Sequence, residues 1–145
     1  MDPAQHAPAL EPVVATPIGH VESDLADRTD APRQPDDGAP PAWLVLDATL
    51  RPAVDGMAPG DEVVVVTWLH LAARDVLVVH PRGDEDTPLT GVFATRSPDR
   101  PNPIGLHRVT VTEITTERAA PRIRVDHLEA VDGTPILDLK PARGC

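Results

Sequence analysis

Pro98, Pro101 and Pro103 stand within six residues of one another, interleaved with Arg96, Arg100 and Asn102. Each proline fixes its own φ and pushes the preceding residue out of the helical region, so the segment can continue neither a helix nor a central strand. It must be a stiff loop whose polar side chains are aimed before any ligand arrives, which reduces the entropy lost on binding. Two guanidiniums in such a loop suit a carboxylate or a phosphate. A surface loop with solvated arginines has the same composition.

The rest of the chain is punctuated in the same manner. Strand patterns read over Val13–Val21 (near an edge, because of Pro17), Trp43–Leu50, Glu62–His70, Asp75–His80, Thr90–Thr95, Leu106–Thr115, Arg122–Leu128 and Ile136–Leu139. Glu62–His70 and Asp75–His80 are apolar and β-branched, as buried strands are. Leu106–Thr115 and Arg122–Leu128 alternate, as strands with one wet face do. Asp55-Gly56, Pro59-Gly60 and Asp132-Gly133 mark turns. No segment has a long helical period; Ala53–Ala58 allows one turn. The predicted class is therefore all-β, an antiparallel sandwich or barrel with few or no helices. Residues 1–12, rich in proline and alanine, read as a disordered tail before a single domain over 13–145. Glu22–Pro41 is a loop long enough to suggest a role in function.

The chain carries 13 basic and 23 acidic residues, a net charge of −10. The acidity is uneven: residues 91–145 hold eight basic and seven acidic side chains, so the excess lies before them. A polyanion is repelled at long range by such a chain and needs a local basic patch. Trp43, Trp68 and Phe93 are the only aromatics, few for stacking on single-stranded bases. Cys145 stands alone, which excludes an intrachain disulfide and a thiolate zinc cluster. No apolar run approaches a membrane span and the N-terminus lacks a secretory pattern, so a cytoplasmic protein is expected.

Neither a glycine-rich dinucleotide fingerprint, a P-loop, a Gly-x-Ser-x-Gly elbow nor a metal-binding histidine pair occurs, and no metal is expected. His70 and His80 close two strands, where capping or solvation also accounts for them, and His107 follows the stiff loop as a base or as an ordinary strand residue. Asp132-Gly-Thr-Pro-Ile-Leu-Asp138-Leu-Lys-Pro141 reads as a turn into a short strand with a carboxylate at each end. Pro32-Arg33-Gln34-Pro35 again frames polar side chains with prolines.

Phe93–Leu106, followed by Asp132–Pro141, closely resembles the TsaA-like, or TrmO-type, methyltransferase domain, and the resemblance runs from about Thr16 to Pro141. It implies a small antiparallel β-barrel that binds S-adenosylmethionine and acts as a homodimer. It implies N6-methylation of threonylcarbamoyl-modified adenosine in tRNA. By the same resemblance Pro32, Arg33, Gln34, Leu69, His70, Arg96, Leu106, Asp132, Gly133, Thr134 and Pro135 line the cofactor pocket. Arg96 or Arg33 would hold the cofactor carboxylate, and Leu69 and Leu106 would pack on adenine. His107, His70 and Asp138 are the candidate bases; His107 stands where many relatives have serine. A tRNA methyltransferase predicts a basic surface of Arg82, Arg100, Arg108, Arg118, Arg122 and Arg124. A small-molecule acceptor needs none, and a non-catalytic S-adenosylmethionine-binding module would bind without turnover.

Overall fold

The computed structural model describes residues 10–26 and 38–143. The described residues form eight strands: β1 (Gly19–Glu22), β2 (Ala42–Leu46), β3 (Glu62–Trp68), β4 (Val78–Val79), β5 (Thr90–Gly91), β6 (Ile104–Thr115), β7 (Arg122–Val125) and β8 (Pro135–Pro141). Six of them pair antiparallel in the order β1-β2-β7-β6-β3-β8, and β8 pairs back with β1, so the sheet closes on itself. β4 and β5 form a separate two-stranded ribbon. Among the described residues the only helical pieces are 3-10 turns at 48–54, 81–83 and 92–94.

Alternation decides which side chains fill the lumen. Along β6, Gly105, His107, Val109 and Val111 are buried while Ile104, Leu106 and Arg108 are exposed. β3 turns Val63, Val65 and Thr67 inward against them, and Leu44, Ile123, Val125 and Ile136 complete the interior. Burying each of these apolar side chains stabilises the fold by about 1.5–3 kcal/mol. A bulge in the β3–β8 pairing leaves one extra residue, Leu137, on β8. Its effect is to turn Leu139 onto the core while Asp138 shares the outer face with Val66.

Six expected strands are shorter than their sequence patterns; Glu62–His70 ends at Trp68 and Arg122–Leu128 at Val125, and the other four are cut back further, each for a physical reason. Val13–Pro17 finds no partner strand among the described residues, and Val13 and Val14 are exposed; strand pairing begins at Gly19. Trp43–Leu50 stops at Leu46 because Asp47 caps a 3-10 turn, its carboxylate accepting from the Thr49 amide (2.8 Å) and hydroxyl (2.6 Å). Asp75–His80 is not a buried strand: only Val78 and Val79 pair, and Leu77 and Val78 remain exposed on the ribbon. Thr90–Thr95 pairs for two residues and then coils into the 92–94 turn. The tail expected over residues 1–12 falls largely outside the described residues.

The two bonds from Thr49, the hydroxyl first and then the amide, hold the Asp47 carboxyl below its ordinary value of 3.8. A carboxyl with a depressed folded pKa contributes stability above its unfolded pKa and loses it as pH falls through the folded value. Asp47→Asn keeps the cap but cannot titrate. Thermal melts at pH 7 and pH 3 are therefore expected to show a smaller acid-induced drop for Asp47→Asn than for the wild type; equal drops would exclude the capping carboxylate as a contributor.

Candidate cofactor and acceptor site

Neighbouring strands of an antiparallel ring alternate in direction. The C-terminal ends of β1, β7 and β3 therefore lie at the same rim as the N-terminal ends of β2, β6 and β8. The three connections that leave from this rim are β1 to β2, β3 to β6 and β7 to β8. Leu69, His70 and Arg96 lie in the β3–β6 connection, Asp132–Thr134 in the β7–β8 connection, and Leu106 and Pro135 in the first residues of β6 and β8. The opposite rim carries the 47–61 and 116–121 connections, where Arg51 donates to the carbonyls of Thr116, Arg118 and Ala119.

The β3–β6 connection is locked from within. Leu69 donates its amide to the Pro103 carbonyl (2.7 Å), Arg100 to that of Ala73 (3.0 Å), and the Ala73 amide to the Asp99 carboxylate (2.9 Å). Arg74 lies over the Trp68 ring, 5.1 Å from its centre, and donates to the Pro101 carbonyl (2.8 Å) and the Asn102 side chain (3.0 Å). Arg100 folds back on its own loop, donating to the carbonyls of Val92 and Thr95. Its guanidinium is a strut. Arg96 differs: it is exposed and donates one long bond, 3.3 Å, to the Leu106 carbonyl. Of the arginines of the stiff loop, Arg96 is the one whose charge faces outward.

Leu69 and His70 directly follow β3, His70 being exposed. Leu106, Val66 and Asp138 form one row across the outer face of β6, β3 and β8. Arg96, Leu106, Leu69, His70 and Asp138 thus share the β6–β3–β8 side of the rim. Asp138 is engaged on both oxygens, by the Leu139 amide (2.9 Å) and by Lys140 (3.2 Å).

The β7–β8 connection brings Asp132–Pro135 to the same rim. Gly133 takes φ +82°, a value that favours glycine, and donates to the Val21 carbonyl. Asp132 accepts from the Ser23 amide (3.0 Å) and donates its own amide to the Leu25 carbonyl (2.6 Å). Leu128 donates to the Pro40 carbonyl (2.9 Å). Both described ends of the β1–β2 connection are therefore tied to this segment; Pro32, Arg33 and Gln34 lie outside the described residues. Thr134 is buried and its hydroxyl donates to the Val131 carbonyl, so that side chain holds the turn.

His107 does not sit where a base would meet an acceptor. It is 4% exposed and points into the lumen, its Nε2 2.7 Å from the Thr67 hydroxyl and its Nδ1 2.7 Å from Glu129 Oε1. Thr67 and Glu129 are not among the residues expected from the sequence. Their signal was present: Thr67 interrupts an apolar inward series, and Glu129 sits between the buried Leu128 and Ala130.

The expected basic surface does not assemble on one side. Arg108 pairs with Glu62 (2.8 Å), and Arg122 pairs with Glu22 (2.8 Å). Arg122 and Arg124 also lie over the Trp43 ring, at 5.0 and 5.3 Å, on the outer face of β2 and β7. Arg118 belongs to the opposite rim. Among the described residues no group of three metal-ligating side chains converges, and no helix is long and apolar enough to cross a membrane.

Residues 20–143 match the family described as the tRNA-methyltransferase O (TrmO) N-terminal domain. The chain belongs to this family. It is 40% identical over 125 residues to a probable S-adenosyl-L-methionine-binding protein of Methanothermobacter thermautotrophicus, covering 86% of each chain. A protein of the same description from Halobacterium salinarum is 40% identical over 129 residues, covering 88% of this chain and 97% of the relative. Among solved structures, TrmO from Pseudomonas aeruginosa superposes with a TM-score of 0.71 at 29% identity, covering 93% of this chain. This TrmO-family chain spans 56% of that solved chain.

Proposed function

We propose that this TrmO-family protein binds S-adenosylmethionine at the β1–β2, β3–β6 and β7–β8 rim and transfers its methyl group to N6 of threonylcarbamoyl-modified adenosine in tRNA, in the cytoplasm. The observation that carries the reading is the convergence of the Arg96 loop, Leu69-His70 and Asp132–Pro135 on one rim, which strand polarity brings about. The residues suit the cofactor. The outward guanidinium of Arg96 matches a carboxylate, Leu69 and Leu106 offer apolar surface to an adenine, and the backbone around Gly133 offers polar groups to a ribose. Bound there, the sulfonium supplies an activated methyl group. The chain's part is to align the acceptor in line with that methyl, and proximity supplies much of the rate.

A base that removes the acceptor's proton needs a lone pair facing it. His107 is buried with both ring nitrogens engaged, so His70, exposed beyond β3, and Asp138, on the outer face of β8, remain as the candidates. A homodimer is part of the proposal: Leu71, Leu77, Val78, Leu89, Phe93, Ile104 and Leu106 are all exposed, and a second copy would cover such apolar surface. Calorimetric titration with S-adenosylmethionine, followed by mass spectrometry of nucleosides from tRNA carrying the threonylcarbamoyl group, tests it. Binding and a methylated nucleoside support it; a folded protein that binds no cofactor sinks it. The dispersal of Arg108, Arg118, Arg122 and Arg124 favours a second reading, a small-molecule acceptor, which binding without tRNA methylation would select. Binding without turnover on any acceptor would leave a non-catalytic module.

A further inference from the structure

The lumen of the barrel is apolar except immediately beneath the functional rim. There Thr67 on β3 and His107 on β6 meet Glu129, which enters from the β7–β8 connection. Thr67 is fully buried, His107 is 4% exposed, and the Glu129 side chain is 15% exposed. An ionised carboxylate can only accept, so Nδ1 carries the proton toward Glu129, and Nε2 shares a hydrogen bond with the Thr67 hydroxyl. Gly105 makes room for the group: a Cβ there would lie 2.5 Å from Thr67 Oγ1 and 2.6 Å from His107 Nε2.

The order carboxylate–imidazole–hydroxyl is that of a hydrolytic triad. Thr67 is sealed in the lumen, however, and no substrate reaches it. The group is also a poor way to gain stability. Among the described residues Glu129 Oε2 is buried without a hydrogen-bond partner, and apolar side chains of similar volume fill such space at no comparable penalty. What the group adds is direction. Leu128, Ala130 and Val131 already bury the β7–β8 connection, but apolar contacts tolerate sliding. The Glu129–His107 bond fixes one height of that connection against β6, and Asp132–Pro135 follow three residues later.

We propose that His107 and Glu129 are positioning residues that hold the Asp132–Pro135 segment at the height from which it grips the cofactor. The proposal rests on the rim being the S-adenosylmethionine site. The test has two readouts on the full chain: cofactor affinity by calorimetry, and amide hydrogen exchange at Asp132, Gly133 and Thr134, whose amides donate to Leu25, Val21 and Val131. His107→Leu, which keeps the lumen filled, is expected to weaken S-adenosylmethionine binding at least tenfold. It should speed exchange at those three amides while β3 and β6 keep their protection. Glu129→Gln, which retains an oxygen for the His107 Nδ1–H, is expected to stay within threefold of the wild type in affinity. If His107→Leu does not fold, Glu129→Ala removes the same bond from outside the strands and is read in the same way. Wild-type exchange at 132–134 in the folded variant overturns the proposal, as does a uniform loss of protection across the barrel, which marks a merely structural role. If the wild type binds no cofactor, the function reading fails, and the exchange pattern still decides whether His107 and Glu129 hold the segment.

Discussion

Gly19→Ala is expected to destabilise the protein by about 3 kcal/mol, the upper part of the usual range for overpacking. Gly19 opens β1 opposite Leu46 and is also paired with Ile136 of β8, at the point where the sheet closes. A Cβ there would be driven into the carbonyl oxygen of Val45 and would lie 2.9 Å from the Leu46 Cα. These are backbone atoms of a paired strand and cannot swing aside as a flexible side chain can. Relief requires β1 to move away from β2, which breaks the ring at one of its two shortest strands and exposes Val21 and Leu44. In a domain of this size such a loss lowers the melting temperature on the order of 10 °C. Gly91→Ala is the control: its φ is −59° and nothing lies within 4 Å of the added Cβ, so no more than a small change is expected. Thermal unfolding of the two variants checks the pair. A Gly19→Ala protein that melts with the wild type would mean that β1 does not seal the sheet.

The same strand shows how far the sequence could be read. A strand pattern is legible from Val13 onward, but whether it pairs depends on partners far away in the chain, and pairing begins only at Gly19. Asp75–His80 is locally indistinguishable from the buried Glu62–Trp68, because apolar β-branched runs carry no record of what will cover them. Alternation served well where a strand has one wet face: the inward set of β6 follows from its pattern, His107 included. What alternation does not reveal is the occupant opposite. His107 stood among the candidate bases because Thr67 and Glu129, its two partners, come from positions 40 residues before it and 22 after it. The signature segments were each visible, and so was the stiffness of the proline loop. That they share one rim follows from strand order, which no single segment encodes. The roles of the arginines were least legible, since Arg96 and Arg100 stand four residues apart in one loop yet one guanidinium faces outward and the other props the backbone.

That difference sets the second large effect. Arg96→Ala is expected to weaken S-adenosylmethionine binding tenfold or more, about 1.4 kcal/mol, with little change in melting temperature. The wild-type guanidinium has one long bond to the Leu106 carbonyl, so its removal leaves no buried group unpaired and opens no cavity. What is lost is a charge-assisted partner for a ligand carboxylate, the type of bond that depends most on geometry. Arg96→Lys therefore should recover only part of the affinity, because an ammonium keeps the charge without the planar fork. The wild-type affinity should fall as salt is added, and that of Arg96→Ala should fall less, since the ion pair would be solvent-exposed. Arg100→Ala is expected to behave in the opposite manner. It strips the struts from the Val92 and Thr95 carbonyls, so the melting temperature drops and affinity suffers only through a looser loop. Calorimetry and melting curves on the three variants separate the cases. Wild-type affinity in Arg96→Ala would remove this side chain from the site and move the carboxylate partner to Arg33 on the β1–β2 connection. A stability loss in Arg96→Ala equal to that in Arg100→Ala would show that both arginines serve the loop alone.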